Sequence, residues 1–467
     1  MSRPLQNMAA FVAGDAGSRL IGFFVTVYLA RVLAPEAFGT VTVGLAVLGY
    51  LGLIASPGVQ ILETRNVAAS PVDMPQRVGA VISLRVILGI AIALAAWLIA
   101  RAVLEEQRTA DVIGLYALCL IPMALLLDWW FQGKEDFWAL GGSRLVQFLV
   151  YAIAVVLMVR SPEDLEAAPK AFFFGALGGA LILLLLYGVR SKSIPFHLRP
   201  ALWKTILQQN LPVGGAVLAA QAATSLPPIV VAAGLGTVQA AEYGAAMRLV
   251  FMILFIDRLI HALLLPAISR QLARDRQRAR LTATVVLKSQ IVFLVPMGLA
   301  VMLLGRWIVT LLYGPSYVAA APIVQILTSY VLLTIMNTVF VCVVVGSGQE
   351  REYSRIMTVG STLMAALILL LTLTAGGVGA ALGVVVGEAV IAFWMFLRAR
   401  AVLPIVEPWR AAGIVVLVAA AGPAAWLFSD VGVLPAVAAG LLLYGVGTLM
   451  LGGLTRAEVR FLRESLA

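Results

Sequence analysis

Long apolar runs separated by short polar clusters set the pattern of this chain. Runs near 8–33, 38–62, 78–104, 110–131, 136–159, 170–189 and 208–234 are followed by others near 240–268, 283–305, 318–346, 354–376, 378–397, 411–428 and 432–453. Each is close to the roughly 20 apolar residues that carry a helix across the hydrocarbon core of a bilayer. Only helices and closed barrels satisfy their own backbone polar groups in lipid, and runs of this length are helical. The pattern predicts an all-α integral membrane protein with about fourteen transmembrane helices. The first run carries Asp15 and Arg19 and leads straight into further spans, so it reads as a retained span rather than a cleaved leader.

Composition agrees: 62% of the residues are hydrophobic and 12% charged, against roughly 25% charged in a soluble domain. Cys119 and Cys342 both lie in apolar runs, which suits small buried hydrophobes and not a disulfide framework. Lysine and arginine fix the orientation. With the N-terminus inside, the inner segments hold 21 basic residues, among them Arg65, Arg77, Lys134, Arg190, Lys192, Arg270, Arg274 and Arg278. The outer segments hold 6: Arg31, Arg101, Arg108, Arg160, Lys170 and Arg306. Both termini are therefore expected in the cytoplasm. The formal net charge of +10 is topology first, and SRQLARDRQRAR (Ser269–Arg280) reads as a cytoplasmic loop, not a nucleic-acid site.

Catalytic chemistry lacks parts. The longest outer segment, around RSPEDLEAAPK (Arg160–Lys170), is too short to fold as a domain, which disfavours glycosyltransferases, polymerases and ligases that work through a large external loop. No HExxH, Walker A, GxSxG or CxxC stands in a suitable context. Histidine occurs twice, at His197 in a loop and His261 in a span. No metal site, no cofactor and no enzyme activity is expected.

Two anchors indicate an internal repeat. Phe38-Gly39 opens the second span and Tyr243-Gly244 the eighth, while Gly133-Lys134-Glu135 follows the fourth and Gly348-Gln349-Glu350 the tenth. The offsets are 205 and 215 residues, six spans each. An even number keeps both halves in the same orientation, a parallel repeat about an axis along the membrane normal. The expected division is a six-helix bundle over 1–190, a basic cytoplasmic linker over 191–207, a second six-helix bundle over 208–400, and two further helices with a tail over 401–467.

YLARVLAPEAFG (Tyr28–Gly39), DWWFQGKE (Asp128–Glu135), LLYGPSYVAAAPIVQIL (Leu311–Leu327) and GGVGAALGVVVGE (Gly376–Glu388) occur in this order. Together they resemble the multidrug/oligosaccharidyl-lipid/polysaccharide exporter superfamily, in its polysaccharide-transporter branch of O-antigen-type flippases. The resemblance runs nearly end to end. One departure is Ala34, where the family usually has glycine, which is expected to matter little in a tight turn. The resemblance implies a bacterial inner-membrane transporter whose cargo is an oligosaccharide linked through pyrophosphate to a polyprenol. It further implies a cavity lined by spans one, two, seven and eight, membrane lipids as surroundings, and polysaccharide polymerase or assembly proteins as partners. The hairpin at Ala34-Pro35 and its counterpart near Tyr243 then either serve as plain turns or form an outer gate.

Charges inside the spans are costly against lipid and should face protein or a wet cavity. Cations dominate: Arg19, Arg85, Arg144, Arg248, Arg258 and Lys288 against Asp15, Asp257 and Glu388. Cationic drugs would require the opposite balance, whereas guanidinium groups grip a pyrophosphate with paired hydrogen bonds. Arg19 and Arg248 lead the candidate ligands, on spans that the resemblance places at the cavity, followed by Arg258, Arg85, Arg144 and His261. Each also has a plain reading as a partner of a neighbouring helix. Asp15 lies one turn from Arg19, and it or Glu388 is expected to couple transport to a proton or sodium gradient. Gly14, Gly17, Pro212, Pro227 and Pro228 interrupt spans one and seven, as hinges or, for the glycines, as packing contacts. The expected function is flipping by alternating access. The alternatives are a flippase for another lipid-linked glycan such as the peptidoglycan precursor, a multidrug antiporter, and a channel or scaffold for polysaccharide assembly.

Overall fold

The computed structural model describes residues 3–69, 75–192 and 197–404; the expected spans at 411–428 and 432–453 lie outside them. Helix α1 (Arg3–Val32) meets α2 (Ala34–Ala55) with no loop between them. Pro35 disfavours the right-handed helical conformation at the residue before it, and Ala34 turns the chain at φ +53°. That is the left-handed region, where a Cβ is strained, so alanine in place of the family's glycine matters here, contrary to expectation.

A short helix α3 (Val59–Ala69) leads to α4 (Pro75–Val103). The fourth span comes in three pieces, α5 (Gln107–Leu118), α6 (Leu120–Ala124) and α7 (Asp128–Gly133), before the long α8 (Phe137–Met158) and α9 (Ala167–Ser191). The seventh is split into α10 (Pro200–Ala220) and α11 (Ala222–Leu235), and the eighth into α12 (Thr237–Ile253) and α13 (Phe255–Arg274). Then come α14 (Arg276–Tyr313), a 3₁₀ turn (Pro315–Ala320), α15 (Ala321–Gly346) and α16 (Glu350–Val402). Among the described residues nine helical stretches are long and apolar enough to cross a membrane, and no strand occurs. This is an all-α, multi-pass membrane fold.

By packing, the chain divides into Met1–Ala245 and Ala246–Ala467, a boundary inside α12. The sequence repeat places it at 191–207 instead. The difference arises because α10, α11 and the start of α12 are pressed onto the first six spans. A Cβ on Gly39 would lie 1.8 Å from the Thr237 carbonyl oxygen, and one on Gly244 2.4 Å from Thr42 Cγ2.

The first unit is cored by the aromatic segment Trp129-Trp130-Phe131 with Tyr187, Leu183, Ile82 and Ile206, all buried. Trp130 meets Tyr187 edge to face at 4.9 Å. On its other side α1 lies along α8 with almost no side-chain volume between them: a Cβ on Gly14 would be 2.7 Å from Gly141 Cα. In the second unit α15 is buried along its length by Ile335, Val339 and Val343. Against it packs α16, which reverses at Ala375 and Gly376 (φ +63°) and so supplies two spans.

Candidate functional site

The first unit assembles a chain of charges from four helices. Asp15 and Arg19 share one face of α1, and Asp15 Oδ2 accepts from Arg19 Nε at 2.8 Å. Its second oxygen accepts from Arg144 Nη1, on α8, at 2.6 Å. Arg144 also reaches Asp128, at the start of α7, with Nη2 3.6 Å from Oδ2. The close approach of α1 and α8 at Gly14 and Gly141 brings Asp15 and Arg144 within reach. Asp15 is one-tenth exposed, while Arg19 and Arg144 keep about a third of their side-chain surface open (33% and 29%).

Arg85, from α4, closes the row differently. Its guanidinium donates to the carbonyls of Leu126 at 2.9 Å and Met123 at 2.8 Å. Leu126 lies in the break between α6 and α7, and the Met123 carbonyl at the end of α6 otherwise takes the long bond from the Leu126 N–H at 3.3 Å, so Arg85 caps a helix end inside the membrane. It is thereby occupied structurally, and the break it stabilises sets the position of Asp128. Run length alone does not show that the fourth span is interrupted; Pro122, in α6, is the one local signal of it.

The other candidates lie in the second unit. Arg248 is exposed on α12 and Arg258 exposed on α13, with His261 half-buried one turn further. The break at Leu254 places Asp257 in the first turn of α13, where a helix N-terminus favours a carboxylate, and Thr338 donates to it. Glu388, on the returning half of α16, is buried and accepts from Asn337 at 3.4 Å. No cationic side chain pairs with Glu388 among the described residues.

The expected hinge positions all lie in the first unit. Helix α1 is continuous through Gly14 and Gly17, and both face α8, Gly17 with its Cβ position 3.4 Å from Leu145. Pro212 sits within α10. Pro227 and Pro228 are buried inside α11, and the chain enters α11 from α10 through Gln221, which keeps a helical backbone. No group of three or more His, Cys, Asp or Glu able to hold a metal occurs among the described residues.

An anion with several oxygens would find two forked donors, Arg19 and Arg144, already pointed at one carboxylate.

Over residues 5–271, more than half of its length, the sequence matches the polysaccharide biosynthesis protein family. A search of the curated proteins finds no match. Among solved structures, the chain is similar to the lipid II flippase MurJ in an inward closed conformation (14% identity, 94% of this chain and 98% of that one, TM-score 0.70). It is also similar to an inward-facing multidrug resistance MATE transporter of the MOP superfamily (15% identity, 82% and 95%, TM-score 0.67). A third is a MOP superfamily transporter from Pyrococcus furiosus described by the reverse polarity of its binding pocket (13% identity, 85% and 96%, TM-score 0.54). At such identities the likeness establishes the fold.

Proposed function

The chain belongs to the polysaccharide biosynthesis protein family, and from that premise we propose that it is a flippase for polyprenyl-pyrophosphate-linked oligosaccharide. It moves its cargo from the cytoplasmic to the outer leaflet of the bacterial inner membrane, with both of its own termini cytoplasmic, and makes or breaks no covalent bond. The observation that carries this reading is Asp15 held between Arg19 and Arg144. A buried carboxylate shared by two half-open guanidinium groups is a replaceable anion. The cargo pyrophosphate takes its place on the arginines with paired, charge-assisted hydrogen bonds; Arg248 and Arg258, on α12 and α13, are further candidate ligands for a pyrophosphate. Alternating access then carries the headgroup across while the lipid tail stays in the bilayer.

The test is flipping of a fluorescent lipid-linked oligosaccharide in proteoliposomes. Arg19→Ala and Arg248→Ala are expected to abolish it with protein level and insertion intact, and Arg→Lys to restore part of it, because an ammonium lacks the forked donor geometry. Full activity in both alanine variants would remove the arginine-ligand assignment. The likeness to MurJ favours, as a second reading, a flippase for the peptidoglycan precursor, and offering both lipids to the same proteoliposomes separates the two. A multidrug antiporter would keep exporting cationic compounds after the arginines are changed to glutamine.

Coupling is assigned to Asp15. When cargo takes Arg19 and Arg144, the carboxylate loses both partners at once and binds a proton or a sodium ion. Asp15→Asn should then flip lipid independently of an imposed pH or sodium gradient. A well-folded Asn variant with unaltered gradient dependence excludes Asp15 and leaves Glu388 as the coupling residue, to be tested with Glu388→Gln.

A further inference from the structure

The row of charges ends on a carboxylate whose bonds are not filled. Asp128 Oδ1 is buried and accepts no hydrogen bond among the described residues. Its Oδ2 stands 3.6 Å from Arg144 Nη2, just beyond hydrogen-bond reach. The same guanidinium donates from Nη1 to Asp15 Oδ1 at 2.6 Å. One arginine therefore lies between two carboxylates, bonded to the first and a small side-chain rotation from the second. A buried acceptor left open beside a shared donor asks for a reason.

Neither carboxylate is placed to come to the arginine. Asp128 is held in the core by its neighbours Leu127, Trp129, Trp130 and Phe131, all buried. Arg85 fixes the break before it through the carbonyls of Met123 and Leu126. Asp15 is fixed by the crossing of α1 and α8, where a Cβ on Gly14 would be 2.7 Å from Gly141 Cα. What is left to move is the Arg144 side chain, long, flexible and 29% open. An exchange of partners thus needs no helix to shift. The two acceptors also differ in company: Asp15 is shared with Arg19, whereas the one ion pair of Asp128 among the described residues is the long contact to Arg144.

We propose that Asp128 is a positioning residue for the cargo site, a second acceptor that takes Arg144 over whenever Asp15 is neutralised. The exchange brings Nη2 onto Asp128 Oδ2, and the guanidinium keeps an acceptor of opposite charge inside the membrane. Its part in transport rests on the flippase reading. There the pyrophosphate holds Arg144 while Asp15 carries a proton or a sodium ion, and Asp128 competes with the pyrophosphate for the arginine. Cargo release is eased because the guanidinium leaves one anion for another.

The exchange is tested by thermal unfolding in detergent of Asp15→Asn, Asp128→Asn and the two combined. Each single change leaves Arg144 one of its two carboxylates and should lower the midpoint little. The combined change removes both and should lower it by more than the single shifts added together. With Arg144→Gln in the background the shifts should become additive, because the group that the carboxylates share is gone. Where the combined variant does not fold, adding Arg144→Gln to it should restore folding. Additive shifts with Arg144 present overturn the proposal. Coupling that persists without Arg144 does so too, as does a triple variant that fails to fold.

Flipping kinetics give a readout that a merely structural Asp128 would not move. In proteoliposomes with the fluorescent lipid-linked oligosaccharide, Asp128→Asn should lower the maximal rate and the half-saturating lipid concentration together, each several-fold. Asp128→Glu should restore part of both. A half-saturating concentration that is unchanged or raised refutes the competition for Arg144. If the unaltered protein flips no lipid-linked glycan, the flippase reading fails, and the unfolding cycle still decides the exchange.

Discussion

Asp15 and Ala34 show two ways in which a single side chain departs from what its neighbours in sequence suggest. Asp15 pairs with Arg19 one turn away, as spacing alone requires, but its tighter bond is to Arg144, 129 residues on. Nothing local to either residue announces that contact, because it depends on which two helices touch. The adjacent pair was legible; the shared carboxylate was not. Ala34 is the reverse case, a departure visible in the motif whose cost emerges only from its backbone angle. A non-glycine residue in the left-handed region is strained by roughly 1–2 kcal/mol, and glycine would return about 0.5–1 kcal/mol of that as chain entropy. Ala34→Gly should therefore raise stability by about 0.5–1 kcal/mol, read as an upward shift of the thermal unfolding midpoint in detergent.

At the scale of helices, apolar run length located the spans well because hydropathy is a sum over many residues and tolerates local noise. The interruptions escaped it. A span broken as the fourth is between α6 and α7 is as apolar as an unbroken one, and what decides the break is which backbone carbonyls and N–H groups find partners. Arg85 is such a partner for α6. Glycines posed the opposite problem: in a sequence, a hinge and a contact look alike. The helices crossing at Gly39 and Thr237 leave no room for one methyl group, while Gly142, next to the Gly14–Gly141 crossing, has open space over it. Gly39→Ala should cost about 1–3 kcal/mol by forcing α2 and α12 apart, whereas Gly142→Ala should be close to neutral. Paired thermal unfolding curves of the two variants check this. Equal midpoints would show that the α2–α12 crossing yields easily.

For the molecule as a whole, basic residues predict the orientation and the hydropathy pattern predicts the class, and both are properties that no single contact can overturn. The packing boundary inside α12 was not legible, since it depends on which helices touch and not on where apolar runs begin and end. Orientation has a direct test. A cysteine introduced near Ser191 should be shielded from an impermeant thiol reagent in intact cells, and one near Glu163, in the turn that Asp164 ties to the N–H groups of Arg160 and Ser161, should be labelled. Equal labelling at both positions would reverse the proposed direction of transport or abolish the topology altogether.

The reversal of α16 at Ala375 and Gly376 bears on how the protein is made. The two arms are joined by two residues of non-helical backbone, and the Cβ positions of Gly379 and Gly383 fall 1.8 Å from the Leu371 carbonyl oxygen and 2.7 Å from the Ile368 nitrogen. A nascent chain cannot first settle the outbound arm in lipid and later thread a hydrophilic tip across, because there is no tip to thread. Insertion of the pair as one hairpin is the expected outcome, to be checked by whether a chain truncated after the first arm still integrates that arm on its own. Glu388, borne on the second arm next to Gly387 and its contact with Met364, would then enter the membrane already shielded by the first.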